Sequence, residues 1–432
     1  MAKNFTSEIE HFRRQPFNFK MLIWTNVVYT LVMPVIDIFV AAYVMRNSND
    51  PTKVVIYQLT IYTGIPLTFL LNGFLLSRFN IKLLYSIGMM LSGVSMMIMM
   101  SLKTLDVTGI GVAGIIMGMS FGFYWANRDY LALSITNDKN RNYYYGLETF
   151  FYTVIAVIIP FCVGWFIELV GNKENANYAY RIVTGVVFFI TIIASIVCFR
   201  GDFKNPEQKK FIYFKFHPYW RKLLVLASLK GLAQGYLVTA PAMLIMRLLG
   251  KEGALGTAQS VGAIIAAVIM YIIGRVSKPE HRIYIFSAGL ILFFVAALCN
   301  GILFNATGVI LFMLFLLLAK PMLDISYFPI QFSVIDILSK IENRNEFAYI
   351  LNHEAGLYVG RFIGAGTFIV LAYYYSTEVA LRYALIFIAL AQLLSIFVAQ
   401  NIIKEGKVLA KKHGIEETEE NILTEAPVTG TL

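Results

Sequence analysis

Runs of about 20 apolar residues recur along the chain, separated by short segments rich in Asn, Asp, Lys and Arg. Each run is long enough to cross a bilayer as a helix, and the residue-by-residue alternation typical of membrane strands is absent. The pattern predicts an all-α membrane protein with twelve transmembrane helices. The predicted spans are 21–45, 54–77, 83–102, 107–135, 144–169, 182–199, 223–247, 255–273, 283–304, 308–335, 347–373 and 383–403.

The composition agrees with an integral membrane protein. Of the 432 residues, 58% are hydrophobic and only 14% are charged, and the mean hydropathy is +0.67. A soluble domain carries about 25% charged residues. The three cysteines all lie inside apolar spans, so the sequence offers no disulfide framework and no metal-ligand spacing. The first twenty residues are polar, and no cleavable signal peptide is expected.

The basic residues indicate the orientation of the chain. If the N-terminus is cytoplasmic, 24 of the 36 Lys and Arg residues fall in inner segments, eight in outer segments and four inside spans. Because positive charge concentrates on the cytoplasmic side, both termini are expected to be cytoplasmic, in a bacterial inner membrane. The net charge of +10 is then a consequence of membrane topology, and no nucleic-acid partner is expected.

The hydrophilic segment 201–222 divides the chain into two similar halves. Tyr124 and Tyr327 are 203 positions apart, as are two Asn-Arg-Asn triplets that begin at Asn140 and Asn343. A Tyr-x4-Pro pattern recurs in spans one and seven at an offset of 207. These matches indicate parallel repeats. The predicted units are an N-terminal segment 1–20, a six-helix bundle 21–200, a cytoplasmic linker 201–222, a second bundle 223–404 and a cytoplasmic tail 405–432.

The loop after the second span carries a motif. Its sequence, Gly73-Phe-Leu-Leu-Ser-Arg78-Phe-Asn-Ile-Lys82, resembles the Gly-x-Leu-Ala-Asp-Arg-x-Gly-Arg-Lys loop of the major facilitator superfamily. The family's aspartate is Ser77 in this chain, and its second glycine is Asn80. The motif, the twelve spans and the repeat together resemble this superfamily of secondary transporters. The resemblance implies that Gly73, Arg78 and Lys82 belong to a gating loop.

The resemblance also implies two pseudo-symmetric six-helix bundles around a central cavity lined by spans one, four, seven and ten. It implies a secondary transporter that works by alternating access. The mixture of charged and aromatic residues in those spans favours a polar organic solute, a sugar or small metabolite, driven by protons. The alternative is a proton-driven exporter of drugs or amphipathic compounds, and a lipid flippase or a non-transporting sensor is a further alternative.

Motifs for direct chemistry are missing from the sequence. There is no phosphate-binding loop, no metal-binding His pair and no nucleophile elbow. We therefore expect no enzymatic activity and no cofactor. The expected partners are a small solute, protons and the lipid bilayer, and the protein is expected to be a monomer.

Charged residues inside the spans are candidates for function, because a charge in the bilayer is costly unless it meets a partner or water. In span ten, Lys320 and Asp324 lie one helical turn apart, and Tyr327 and Gln331 continue the same face. This face can be a cavity wall that binds solute or a proton. Alternatively, Lys320 and Asp324 form a pair that only neutralises itself.

Span four presents a second group of polar and aromatic residues. Arg128 lies toward the cytoplasmic end of this span, and Glu148 in span five is expected at a similar depth. Arg128 can contact an anionic or hydroxylated substrate, or it can form a structural pair with Glu148 or Asp129; the sequence favours neither.

The sequence thus predicts one central site. The residues predicted to bind solute are Tyr29, Tyr124, Trp125, Asn127, Arg128, Gln234, Tyr236, Lys320, Asp324, Tyr327, Gln331 and Arg361. The carboxylates predicted as candidates for proton coupling are Asp37, Glu148, Asp324 and Glu354.

Overall fold

A computed structural model describes residues 10–136, 140–173, 175–205, 213–276, 279–344 and 346–414. These residues contain twelve helices that are long and apolar enough to cross a membrane, and no strand. The predicted all-α fold with twelve spans is confirmed. The helices are α1 Phe17–Ser48, α2 Pro51–Leu75, α3 Ile81–Ser101, α4 Val107–Ile135, α5 Arg141–Lys173, α6 Ala176–Arg200, α7 Pro218–Leu248, α8 Glu252–Val276, α9 Arg282–Leu303, α10 Ala306–Glu342, α11 Glu346–Tyr374 and α12 Thr377–Lys412.

Several helices extend beyond the apolar stretches that predicted them. The helix α10 ends at Glu342 rather than near residue 335, and α7 already begins at Pro218, inside the predicted linker 201–222. Polar residues continue these helices because helical hydrogen bonding does not stop where the bilayer does. Specific caps end them: Asn305 accepts a hydrogen bond from Gly308 N at the start of α10, and Asn343, with φ of 47°, closes its end. The middle of the linker and most of the tail lie outside the described residues.

The two sets of six helices show related packing. In the first set, α3 packs against α4 and α6, and in the second set α9 packs against α10 and α12. The sets meet through α2 against α11, through α5 against α8, and through the final pieces of α1 and α7. The final pieces of α1 and α7 therefore lie where the two sets meet.

Glycines allow two helices to approach closely in the second set. Gly360 and Gly364 of α11 face the backbone of α7, where an added methyl group would collide with the carbonyl oxygens of Ser228 and Leu232. The small residues of α11 therefore serve close helix packing.

Candidate functional site

The helices α1 and α7 are interrupted at equivalent positions. Their first pieces end at Thr30 and Leu237, each four residues before a proline, Pro34 or Pro241. Proline lacks the backbone N–H for the helical bond and its ring clashes with the carbonyl four residues earlier, which explains the position of both breaks. The offset of 207 found in the sequence therefore marks a shared backbone feature of the two sets.

The break in α1 positions Asp37. It lies in the π-helical turn Val35–Phe39 that follows Pro34, a type of turn common at functional sites. Val35, Ile36 and Phe39 in this turn are buried, whereas Asp37 is exposed. The turn therefore packs its apolar residues inside the bundle and leaves the carboxylate accessible.

A first charged cluster joins α4 to α5 and α1. The predicted pair is present: Arg128 donates from Nε to Glu148 Oε1 at 3.0 Å and makes a second, shorter contact to Oε2. Arg128 also donates to Asp129 Oδ1 at 2.6 Å. Asn26 of α1 donates to Glu148 Oε1 at 2.7 Å and to the Tyr144 hydroxyl at 2.9 Å. Glu148 thus accepts hydrogen bonds from two helices, which holds α1, α4 and α5 at a fixed spacing.

The second charged cluster decides between the two interpretations of span ten. Asp324 of α10 does not pair with Lys320 on its own helix; it pairs with Lys230 of α7, at 3.3 Å between Nζ and Oδ1. Lys230 also lies over the rings of Tyr327 and Phe328, at 3.9 and 4.1 Å from their centroids. The lysine from α7 reaches Asp324 because both helices line the same space. Lys320 is left exposed, so the alternative interpretation, in which Lys320 and Asp324 only neutralise each other, does not hold.

A third charged pair connects the two sets at mid-height. Arg361 donates to Glu354 Oε2 at 3.2 Å on α11 and to Gln234 Oε1 at 3.0 Å on α7. Its guanidinium group lies 4.7 Å from the ring centroid of Tyr62 on α2. The hydroxyl of Tyr62 in turn donates to the backbone carbonyl of Gln234 at 3.1 Å. Arg361 and Gln234, both predicted site residues, are therefore in contact with each other and with the opposite set.

Five of the predicted aromatic and amide residues are buried in helix packing. Asn127 is fully buried and exchanges amide hydrogen bonds with Asn72 of α2 at 2.9 and 3.1 Å. Tyr29 packs on Tyr124 with 4.3 Å between ring centroids. Tyr236 stacks on Phe368 of α11, and the hydroxyl of Tyr327 shares a hydrogen bond with His353 of the same helix. These side chains are amphipathic enough for a binding site, but neighbouring helices already occupy their polar or apolar faces.

A cavity remains between α1, α4 and α5. Its volume is about 210 Å³, and it is lined by Thr30, Met33, Tyr124, Trp125, Arg128, Glu148, Thr149 and Tyr152. The lining therefore includes three predicted solute-binding residues and one predicted coupling carboxylate. Gln331 of α10 is buried elsewhere, with its amide oxygen lacking a hydrogen-bond partner among the described residues.

The end of the bundle opposite the linker, here called the distal end, is closed by a seal that sequence reasoning missed. Arg46 of α1 forms two hydrogen bonds with Glu252 of α8, one of them at 2.6 Å. The Glu252 side chain is 0% exposed and also accepts from the Tyr180 hydroxyl at 3.1 Å. Glu168 of α5 accepts from Gly253 N at 2.9 Å. These contacts join the two sets. No sequence signal pairs Arg46 with Glu252, because the two residues flank different spans.

The opposite end of the bundle has a different contact pattern. The predicted gating loop is held by the start of the linker: Lys82 donates to the Gly201 carbonyl at 2.9 Å, and Asn205 accepts from Ile81 N at 2.8 Å. Arg78 of the same loop is exposed, and Gly73 is half-buried. Between described residues, the hydrogen bonds at this end stay within one set of helices, as for Lys82. The seal between the sets is therefore distal.

Twelve spanning helices in two related sets, charged side chains between the sets and a seal at one end define a membrane carrier. The family model described as Major Facilitator Superfamily matches residues 22–365. The chain belongs to this superfamily of transporters.

One relative and two solved structures are similar to this chain. The chain is 22% identical to the uncharacterized protein YqgE of Bacillus subtilis (strain 168), with 87% of each chain covered. Two solved structures are similar in fold. One is a bacterial homologue of the iron transporter ferroportin in an inward-facing state, with a TM-score of 0.68, 12% identity and coverage of 90% of this chain and 99% of that one. The other is a proton-dependent oligopeptide transporter, with a TM-score of 0.67, 11% identity and coverage of 91% and 99%.

Proposed function

We propose that this protein is a secondary active transporter of a polar organic solute, a sugar or small metabolite, and that it uses a proton gradient. The observation that carries the proposal is the set of charged residues between the two sets of helices, beneath the distal seal. Charge inside a bilayer is retained where it serves a solute or ion pathway. Arg128 and Glu148 line the cavity beside Trp125 and Tyr152, so a solute there would meet charged groups as well as aromatic rings.

The proposed transport cycle starts from a conformer sealed at the distal end. If that end faces the outside, as the charge bias predicts, the conformer receives solute from the cytoplasmic side. Opening the seal requires Arg46 and Glu252 to separate and the two sets of helices to tilt. A membrane-impermeant thiol reagent tests the orientation: outside intact cells, it should label a cysteine at Ser48 and not one at Lys204. Labelling of the second would reverse the assignment.

We propose Asp324 as the group that couples transport to protons. Its carboxylate is paired with Lys230 at 3.3 Å and its side chain is 33% exposed, so water and solute can reach the pair. Protonation of Asp324 would release Lys230, and re-pairing would expel the proton. Two of the other three carboxylates considered for this role, Glu148 and Glu354, accept hydrogen bonds from arginines, which remain charged at all physiological pH values.

A solute screen followed by transport assays tests the function. Sugars, amino acids, organic acids and amphipathic drugs are added to purified protein in a thermal-shift assay, and compounds that stabilise it are tested in proteoliposomes. We expect a polar solute to stabilise the protein and to accumulate when a pH gradient is applied. Stabilisation by amphipathic drugs alone would replace this proposal with the exporter alternative.

The variant Asp324→Asn tests the coupling step, since it removes the titratable charge and keeps the side-chain shape. Gradient-driven accumulation should be lost, while exchange of labelled solute at equal pH should persist, both normalised to folded protein. The double variant Lys230→Met/Asp324→Asn controls for the lysine that loses its partner. Full gradient-driven uptake by either variant would show that Asp324 is not the coupling group.

A further inference from the structure

Two charged residues of the spanning helices have no ion-pair partner among the described residues. The basic residues Arg128, Lys230 and Arg361 each pair with a carboxylate. Asp37 of α1 and Lys320 of α10 form no hydrogen bond or ion pair with any residue that the structure describes. Both are exposed. They belong to opposite sets of helices, and they carry opposite charge.

Asp37 is placed to receive a cation. Its charge acts on four tyrosines around it, Tyr29, Tyr57, Tyr62 and Tyr152. A carboxylate among tyrosine rings offers an ammonium group both an ion pair and the negative faces of aromatic rings. Asp37 is nine residues before Arg46 along α1, roughly 14 Å at the helical rise. It therefore lies on the inner side of the distal seal.

Lys320 lies on α10, in the opposite set of helices. It lies one helical turn from Asp324, whose carboxylate faces Lys230 of α7. Its charge acts on Asp37, although the two charged groups are farther apart than the 4.0 Å of an ion pair. No ion pair therefore joins them in this structure.

The two unpaired charges together restrict the kind of solute that fits. A simple cation would satisfy Asp37 and be repelled by Lys320, and a simple anion would meet the reverse problem. A neutral sugar would leave both charges without an ionic partner. A solute with an ammonium group and a separate acidic group can form an ion pair with Asp37 and with Lys320 at the same time, and it would then connect the two sets of helices.

We propose that the carrier binds a zwitterionic solute, with its ammonium group at Asp37 and its anionic group at Lys320. This assignment rests on the proposed transport function and narrows its substrate class to amino acids, betaines or similar small zwitterions. The chief competing explanation is that Asp37 and Lys320 pair with each other when the cavity closes.

Binding to the purified full-length protein tests the assignment. The probes are glycine betaine, a series of α-, β- and γ-amino acids, choline as the cation alone and propionate as the anion alone. We expect at least one zwitterion to bind at least tenfold more tightly than choline or propionate. D37N and K320M should each weaken that binding at least tenfold, and D37E should restore it in part.

The single-charge probes separate ligand contact from a structural role. If each residue contacts the solute, K320M should strengthen choline binding because the repulsion is removed, and D37N should abolish it. Propionate should show the opposite pattern, bound more tightly by D37N and not by K320M. If Asp37 and Lys320 only pair with each other, the two variants will not change choline and propionate binding in these opposite directions. Instead, the double variant D37N/K320M would recover the zwitterion affinity that each single variant loses, and this recovery would overturn the proposal.

Failure of this assignment can be distinguished from failure of the transport function. Tight binding and gradient-driven uptake of a neutral sugar, with no zwitterion bound, would overturn the zwitterion site and leave the transporter intact. Zwitterion binding with the predicted crossovers but without exchange in proteoliposomes would leave the site and overturn transport. Absence of binding by every zwitterion in the panel also overturns the proposal.

Discussion

Replacement of Arg46 with methionine should open the distal seal. Arg46 contacts Glu252 through two hydrogen bonds across the two sets of helices. Methionine keeps much of the apolar length of the arginine and removes its charge. Of its side-chain hydrogen bonds with described residues, Glu252, whose side chain is 0% exposed, would then retain the one from Tyr180 at 3.1 Å. The variant therefore leaves a buried carboxylate without its counter-charge in the sealed conformer.

The magnitude follows from the burial of the two partners. Removing one partner of a buried ion pair costs about 3–5 kcal/mol. The Arg46 side chain is 35% exposed and Tyr180 still donates to Glu252, so we expect about 2–3 kcal/mol here. In the open conformer Glu252 would face water, so the cost falls on the sealed conformer alone. At 1.4 kcal/mol per factor of ten, the open population should rise roughly 30- to 140-fold.

Thiol labelling from the distal side measures this change. Thr149 is exposed and lines the cavity, so a cysteine placed there can be reached from the distal side only when the seal opens. The assay requires a background in which the native cysteines, Cys162, Cys198 and Cys299, are replaced. The rate of reaction with an impermeant maleimide should rise 30- to 140-fold in Arg46→Met.

Two further variants control the experiment. Arg247 is also at the distal end, but its hydrogen bond to Asn49, at 2.8 Å, is exposed, so Arg247→Met should change the labelling rate less than about fivefold. The double variant Arg46→Met/Glu252→Gln removes the stranded charge and should return the rate most of the way to the starting value. The reasoning is refuted if Arg46→Met labels at the original rate, or if Arg247→Met accelerates labelling equally.

Two other predictions concern contacts inside the bundle. Glu148→Gln should lower the free energy of unfolding by about 2–3 kcal/mol, because Arg128 loses a partner that is only 13% exposed. Asp129→Asn changes a side chain that is 54% exposed and should lower it by less than about 1 kcal/mol. Denaturant unfolding in detergent measures both values, and equal losses would show that Glu148 is not the more important partner of Arg128. Gly256→Ala places a methyl group against a backbone carbonyl of α5 at the distal contact, which should weaken the seal by about 1–3 kcal/mol and speed distal labelling. At Gly366 an added methyl group would meet no atom within 4 Å, so Gly366→Ala should leave the labelling rate unchanged. Equal acceleration by both alanine variants would contradict the packing explanation.

The helices could be predicted from the sequence because the bilayer imposes a length. Any run of about 20 apolar residues must satisfy its backbone groups internally, and a helix does this. The ends were less predictable, since the apolar run stops where the lipid stops while the helix stops at a cap. In α10 the predicted end near residue 335 lies well before Asn343, whose left-handed conformation terminates the helix.

The ion pairs show where sequence reasoning succeeds and where it fails. Arg128 and Glu148 lie on α4 and α5, which are antiparallel neighbours joined by a short loop, so counting residues from the loop fixes their relative depth. Lys230 and Asp324 are 94 positions apart, and no count along the chain relates their depths. The spacing of Lys320 and Asp324 permitted a pair on one helix, but a lysine stem from a facing helix reached the carboxylate instead.

The interrupted helices connect the proposed ligand site to the seal. Beyond the breaks, the short pieces Val40–Ser48 of α1 and Ala240–Leu248 of α7 pack against each other at the distal end, and the first of them carries Arg46. A helix that lacks hydrogen bonds at a proline bends more readily there than elsewhere. Asp37 occupies the turn at this bend in α1. A solute held between Asp37 and Lys320 would therefore contact α1 at the turn that joins its sealing piece to the rest of the helix. Solute binding could then bend α1 at this turn and so break the Arg46–Glu252 contact.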